Sequence, residues 1–153
     1  MMNRCLLKTN GYRVGFEFQN WVNNQEDVEL VIKFLLDPQL GQVKVKSRPF
    51  LMAVEDLERL ITYFKQHLKC LAQDPDYESS IFTPLELGFQ LQALSGEIRA
   101  LNDGEFSLSF MLNVGRGDDD ASVYVGGEGV VMLSNLNIFI ASIQQILKLP
   151  VYA

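Results

Sequence analysis

Three consecutive aspartates, Asp118, Asp119 and Asp120, lie in the glycine-rich stretch "VGRGDDDASVYVGGEG" between Val114 and Gly129. Clustered carboxylates beside glycines can bind a divalent cation, and glycine-rich loops can cradle phosphate. The spacing fits neither chemistry. A calcium loop alternates its oxygen ligands, and contiguous side chains do not all turn toward one ion. "GGEG" at 126–129 lacks the GK[ST] ending of a phosphate loop and leads into "VVML". Gly115, Gly117 and the aspartates are turn formers, able to take left-handed backbone or to bond their own backbone. The stretch reads as a β-hairpin tip with spare carboxylates, with no metal ligands assigned. The tripeptide "RGD" at 116–118 is incidental.

The only histidine is His67. A general base needs a nucleophile or carboxylate beside it, and the sequence supplies no pairing motif. The GxSxG pattern of a serine nucleophile is absent. The carboxylate pairs Glu55-Asp56 and Asp74-Asp76 fall on a solvated helix face and in a polar connection. No catalytic residue and no cofactor are assigned, and the expectation is a protein that is not an enzyme. Cys5 and Cys70 are too far apart in sequence, and too few, for a disulfide framework or a metal site, so both read as reduced thiols.

The elements that must position these residues follow from periodicity. After Ala53, apolar residues fall at Leu57, Leu60, Ile61, Phe64, Leu68 and Leu71, one stripe of an amphipathic helix with His67 at its edge. A second helix follows Leu133, with Ser134 as its expected N-cap. Its stripe, Leu136, Phe139, Ile140, Ile143 and Leu147, lies 79 positions after Leu57, Leu60, Ile61, Phe64 and Leu68. Strands show the period of two. Leu30, Ile32 and Phe34 alternate with Glu29, Val31 and Lys33, and Leu108, Phe110 and Leu112, 78 positions later, with Ser107, Ser109 and Met111. Val43 and Val45 are echoed by Val123 and Val125 at an offset of 80. Tyr12, Val14, Phe16 and Phe18 open the first half, and Leu85, Leu87, Phe89, Leu91 and Ala93 open the second. A short strand "GEIRAL" is expected after a turn at Ser95-Gly96. Ala72–Ser80, polar and carrying a proline, reads as the link between the halves.

These patterns predict an α+β fold in a single domain over 1–153, with an antiparallel sheet and two helices on one face. The predicted internal structural repeat is strands then helix, twice, in halves of approximately 11–72 and 82–149. The basic run Lys44, Lys46, Arg48 lies on the polar side of one strand, and Glu17, Glu29, Glu86 and Lys33 on polar sides of others. A solvated face of mixed sign explains them, and such a face can also dock a partner. From Ser134 to Leu147 the second helix has no charged residue, whereas a surface helix should show a charged face. Either its own chain covers it on two sides, or it meets another subunit. The candidate interface residues are Ile138 and Ile146, which fall off the main stripe.

Length and composition fit one ordinary globular core: 153 residues, 48% hydrophobic and 21% charged. The net charge of -6 argues against nucleic acid, whose phosphates need a basic field, and permits a basic protein partner. The N-terminus shows no apolar run of signal-peptide length, and no stretch approaches a membrane span, so a cytoplasmic protein with no membrane partner is expected.

The order of motifs resembles a family. "NW" at Asn20-Trp21 precedes a strand, "FLMAVEDLERLITYF" (Phe50 to Phe64) runs from strand into helix, and "FTPLELGFQL" (Phe82 to Leu91) opens a second set of strands. The arrangement is similar to that of the bacterial WapI-type immunity proteins over most of the chain. The resemblance implies a non-catalytic protein that binds and neutralises a toxin domain. The acidic balance would suit a basic toxin domain. The other reading is a structural or regulatory homo-oligomer, a homodimer through the second helix.

Overall fold

The computed structural model describes residues 3–115 and 122–148. Its element order is β1 (Asn3–Lys8), β2 (Tyr12–Val22), β3 (Asp27–Leu36), β4 (Lys44–Lys46), β5 (Phe50–Ala53), α1 (Val54–Leu71), β6 (Phe89–Ala100), β7 (Asp103–Asn113), β8 (Tyr124–Met132) and α2 (Leu133–Leu147). The class is α+β and the strands are antiparallel, as expected. They form two sheets where one was expected. In the larger sheet β1, β2 and β3 are neighbours, and β4 and β5 pair with successive parts of the far edge of β3. The smaller sheet has the order β6-β7-β8.

Alternation puts one side of each strand into the core. On β2, Tyr12, Val14, Phe16 and Phe18 are buried; on β3, Val28, Leu30, Ile32 and Phe34; on β7, Phe106, Leu108, Phe110 and Leu112. The two sheets share one hydrophobic cluster. Phe16 of β2 meets Phe89 of β6 edge-on at 5.4 Å and Phe139 of α2 at 5.3 Å. The Tyr12 hydroxyl donates to the Leu108 carbonyl at 2.7 Å, a buried bond between the sheets. Each helix packs beyond the sheet that precedes it: α1 lies on β5 and β6, and α2 on β1, β7 and β8.

Most of each helix stripe emerges as read, but Leu68 and Leu147 are only half-buried, whereas His67 and Ile146, expected at the edge of and off the stripes, are buried. Leu57, Leu60, Ile61 and Phe64 are buried on α1, and Leu136, Phe139, Ile140 and Ile143 on α2. Ser134 does not cap α2. The N-cap is Met132, without a side-chain bond, because β8 runs straight into the helix and Ser134 falls inside its first turn.

The strand boundaries depart from the periodicity in several places, and Val43 and Val123 fall just outside β4 and β8 and are exposed. Asn3–Lys8 is a strand whose inward residues are only Cys5 and Leu7, too few to signal alternation. Ser95-Gly96 is not a turn. β6 runs on to Ala100 through a bulge between Ala93 and Gly96, and the hairpin turns at Leu101-Asn102, where Asn102 takes a φ of 63°. A Cβ on Gly96 would collide with the Glu105 and Phe106 backbone, so the bulge needs glycine there. Finally, β6 begins at Phe89, and Leu85 and Leu87 lie in the turn before it.

Ala72–Ser80 is tied to the core. Ser79 N–H donates to the Ala93 carbonyl and Gly96 N–H to the Pro75 carbonyl, so the connection runs along the edge of β6. Phe82 extends this with a bridge to Leu91.

Candidate functional site

His67 sits on the buried side of α1 with no exposed surface. Its Nε2 is 2.9 Å from the Leu94 carbonyl, which can only accept, so Nε2 carries the proton. Nδ1 then accepts from the Ser79 hydroxyl at 2.7 Å. Phe106 and Tyr77 pack on the ring, with centroids 4.8 and 5.7 Å away. Burial pushes its pKa down, and the Leu94 bond opposes this more weakly. Both ring nitrogens are occupied and no solvent reaches them, so the ring is a structural staple between α1, the connection and β6. Burial also pushes the Cys5 thiol up to about 12, well out of its reactive range.

Asp118, Asp119 and Asp120 lie outside the described residues. The flanking strands form the expected hairpin: β7 pairs with β8 out to Asn113 and Tyr124, and Val114 N–H donates to the Val123 carbonyl at 2.7 Å. Among the described residues no group of His, Cys, Asp and Glu has the clustering of a metal site, and no helix is long and apolar enough to cross a membrane.

The candidate interface residues separate. Ile146 is buried in its own chain's core, whereas Ile138 is 62% exposed. Helix α2 lacks charges because sheet strands on both sides take most of its circumference, leaving Ser134, Ile138, Ala141 and Gln145 outward.

A closely held surface feature is the turn Pro84–Leu87. Leu85 is 83% exposed and Leu87 51%. Leu87 N–H donates back to the Pro84 carbonyl at 3.0 Å, and Leu87 has a left-handed φ of 53°. That conformation costs a non-glycine residue about 1 kcal/mol or more and persists only where its surroundings impose it. Here α1 imposes it. Asp56 Oδ2 accepts from Leu85 N–H at 2.9 Å, and Asp56 Oδ1 pairs with Arg59 at 3.0 Å. Arg59 also donates to the Thr83 carbonyl at 2.7 Å and stacks over the Phe82 ring at 4.4 Å. From the other side, the Asn113 side chain donates to the Leu87 carbonyl. Between the turn and α1 lies an open groove of about 430 Å³, with Glu55, Asp56, Arg59, Pro84, Leu85 and Leu87 on its walls. Glu86, at the tip, is exposed.

Sequence alternation hid this site, because Leu85 and Leu87 continue the odd-numbered run of Phe89, Leu91 and Ala93. The available signal was the punctuation on either side, Pro84 and Gly88 around "LEL".

Comparisons with protein-family models, with curated proteins and with solved structures find no match to this chain.

Proposed function

We propose that this is a non-catalytic binding protein that engages a protein partner through the Pro84–Leu87 turn and the groove beside it. The observation carrying this reading is the turn itself: two exposed leucines held on a strained, hydrogen-bonded backbone by Asp56, Arg59 and Asn113. Apolar side chains fixed in advance lose little freedom on binding, which is what an interface anchor requires. The flanking Glu55 and Glu86 favour a partner that is basic around an apolar pocket, and the net charge of -6 steers such a partner in. This is the chemistry expected of an immunity-type role against a basic toxin domain, in a cytoplasmic protein.

Bait comparison tests it. The parent chain and the double variant Leu85→Asp, Leu87→Gly are used in parallel on the native lysate, and the recovered partner is titrated against both. A basic protein held by the parent and weakened by about 2 kcal/mol or more in the variant is expected. Glycine also releases the left-handed strain, so Leu87→Gly alone should raise stability by about 1 kcal/mol while weakening binding. Equal binding by parent and variant would remove the turn from the interface.

The same reading takes the two halves as copies of one structural unit. The order β2-β3-β4-β5-α1 matches β6-β7-β8-α2 when β4 and β5, which pair with successive parts of β3, together take the place of β8. In support, Phe16↔Ile32 corresponds to Leu91↔Phe110, and Val28↔Met52 to Phe106↔Val131. Each unit has a register shift at the corresponding place, Phe18/Trp21 and Ala93/Gly96. A second functional reading, a homodimer through α2, keeps the exposed Ile138 on a charge-free helix face as its support.

A further inference from the structure

The outer face of the five-stranded sheet carries a charge pattern that the fold does not require. Arg4, Leu6 and Lys8 point outward from β1, Arg13, Gly15 and Glu17 from β2, Glu29, Val31, Lys33 and Leu35 from β3, and Lys44 and Lys46 from β4. Six of the chain's 13 Lys+Arg are therefore on this face, in a protein of net charge -6, against the two acids Glu17 and Glu29. Glu17 is committed locally: its Oε1 is 2.9 Å from Lys33 Nζ and 3.9 Å from Arg4. Among the described residues Lys8, Arg13, Lys44 and Lys46 form no ion pair.

Two of the cross-strand neighbours have like charge, Lys8 opposite Arg13 and Lys33 opposite Lys46. Like charges directly opposite each other destabilise a sheet. The smaller sheet shows that the architecture does not demand them: the pair corresponding to Lys33↔Lys46 is Met111↔Gly126, and that corresponding to Leu35↔Lys44 is Asn113↔Tyr124. The face is open, with both helices on the other side, and Leu6 is 44% exposed on it. A Cβ at Gly15 would meet nothing within 4 Å, which leaves a shallow depression between Leu6 and Lys33.

We propose that this face is a second docking surface, separate from the Pro84–Leu87 turn, and that its occupant is an acidic segment of a protein partner. The four strands β1 to β4 span roughly 14 Å, and successive outward residues along one strand are about 7 Å apart. That footprint matches a short segment with carboxylates on one side, and the exposed Leu6 and half-buried Leu35 supply apolar contact between the cations. A long nucleic acid or a membrane plane extends past so small a face and meets the acidic remainder of the molecule, which repels it. A short acidic segment does not reach that remainder. Carboxylates set between Lys8 and Arg13, or between Lys33 and Lys46, relieve the repulsion built into the sheet.

The probe is a fluorescein-labelled peptide of alternating Glu and Leu, followed by anisotropy with the full chain at about 50 mM salt. The test variants are Lys8→Glu with Lys46→Glu, and Arg13→Gln with Lys44→Gln. The control is Lys65→Glu with Lys69→Glu, on the exposed side of α1. Peptide binding should weaken about tenfold or more in both test variants and by no more than about twofold in the control. Lys8→Glu with Lys46→Glu should keep or raise the melting temperature, since each change turns a repulsive cross-strand pair into an attractive one. Leu85→Asp should leave peptide binding intact, so the outcome here is independent of the turn's role. No binding by the parent, or equal loss in the control, overturns the proposal. Tighter binding of a single-stranded oligonucleotide or of anionic lipid vesicles, lost in the same variants, overturns it in favour of a phosphate-bearing partner.

Discussion

At the scale of the residue, His67 carries a pH dependence whose sign follows from its surroundings. Burial lowers its folded-state pKa, so the ring stays neutral where a free histidine, with a pKa of about 6.5, begins to protonate. Below that pH the unfolded chain binds more protons than the folded one. The stability contributed is therefore complete above pH about 6.5 and is lost as pH falls toward and through the folded-state value. Urea midpoints of the parent should drop between pH 7 and pH 5, and His67→Gln should show a shallower drop. An unchanged slope in the variant would mean that other groups carry the dependence. The ring is fully buried on the core side of α1. A polar ring is accommodated at this position only because Ser79 and Leu94 meet both its nitrogens.

Among the elements, α2 gives the sharpest contrast between neighbouring positions. Ile146→Lys places an unpaired ammonium in the shared core and should abolish cooperative unfolding. Ile138→Lys should change stability by less than about 0.5 kcal/mol, because its side chain faces outward. Sedimentation of the parent and of Ile138→Lys then decides the dimer reading. A parent dimer converted to monomer supports it, and a parent that stays monomeric at high concentration ends it. On α1, Phe64→Ala should cost about 3–5 kcal/mol, since the ring is fully enclosed beside Tyr63 and Phe106.

For the whole molecule, the decisive feature is that each half covers the other. Helix α1 follows the larger sheet yet packs on β6, and α2 follows the smaller sheet yet packs on β1. The Tyr12 to Leu108 hydrogen bond and the contact of Phe16 with Phe89 cross the same boundary. A fragment ending at Leu71 would expose the inner face of β2 and the buried stripe of α1. Fragments 1–72 and 73–153, made separately, should each lack a cooperative melt, and mixing them should restore helical circular dichroism. Independent folding of either fragment would mean that the shared core is dispensable.

The amino-acid order by itself determined the class, most of both helix stripes, and the inward residues of β2, β3 and β7. Each of these rests on a period, 3.6 or 2, that neighbouring residues display without reference to the rest of the chain. It did not determine how many sheets would form, because the edge at which pairing stops is set by twist and by which helix covers which strand. It placed Leu85 and Leu87 in a strand, since alternation persists into a turn whose departure from it is held by Asp56 and Asn113, distant in sequence. It showed Lys44 and Lys46 as a basic run on the polar side of one strand, within a face of mixed sign. Only the pairing of β1 to β4, which sets Arg4, Lys8, Arg13 and Lys33 on their side, makes them part of a basic face. Surface function in this protein depends on such lateral neighbours, and lateral neighbours are decided by tertiary structure.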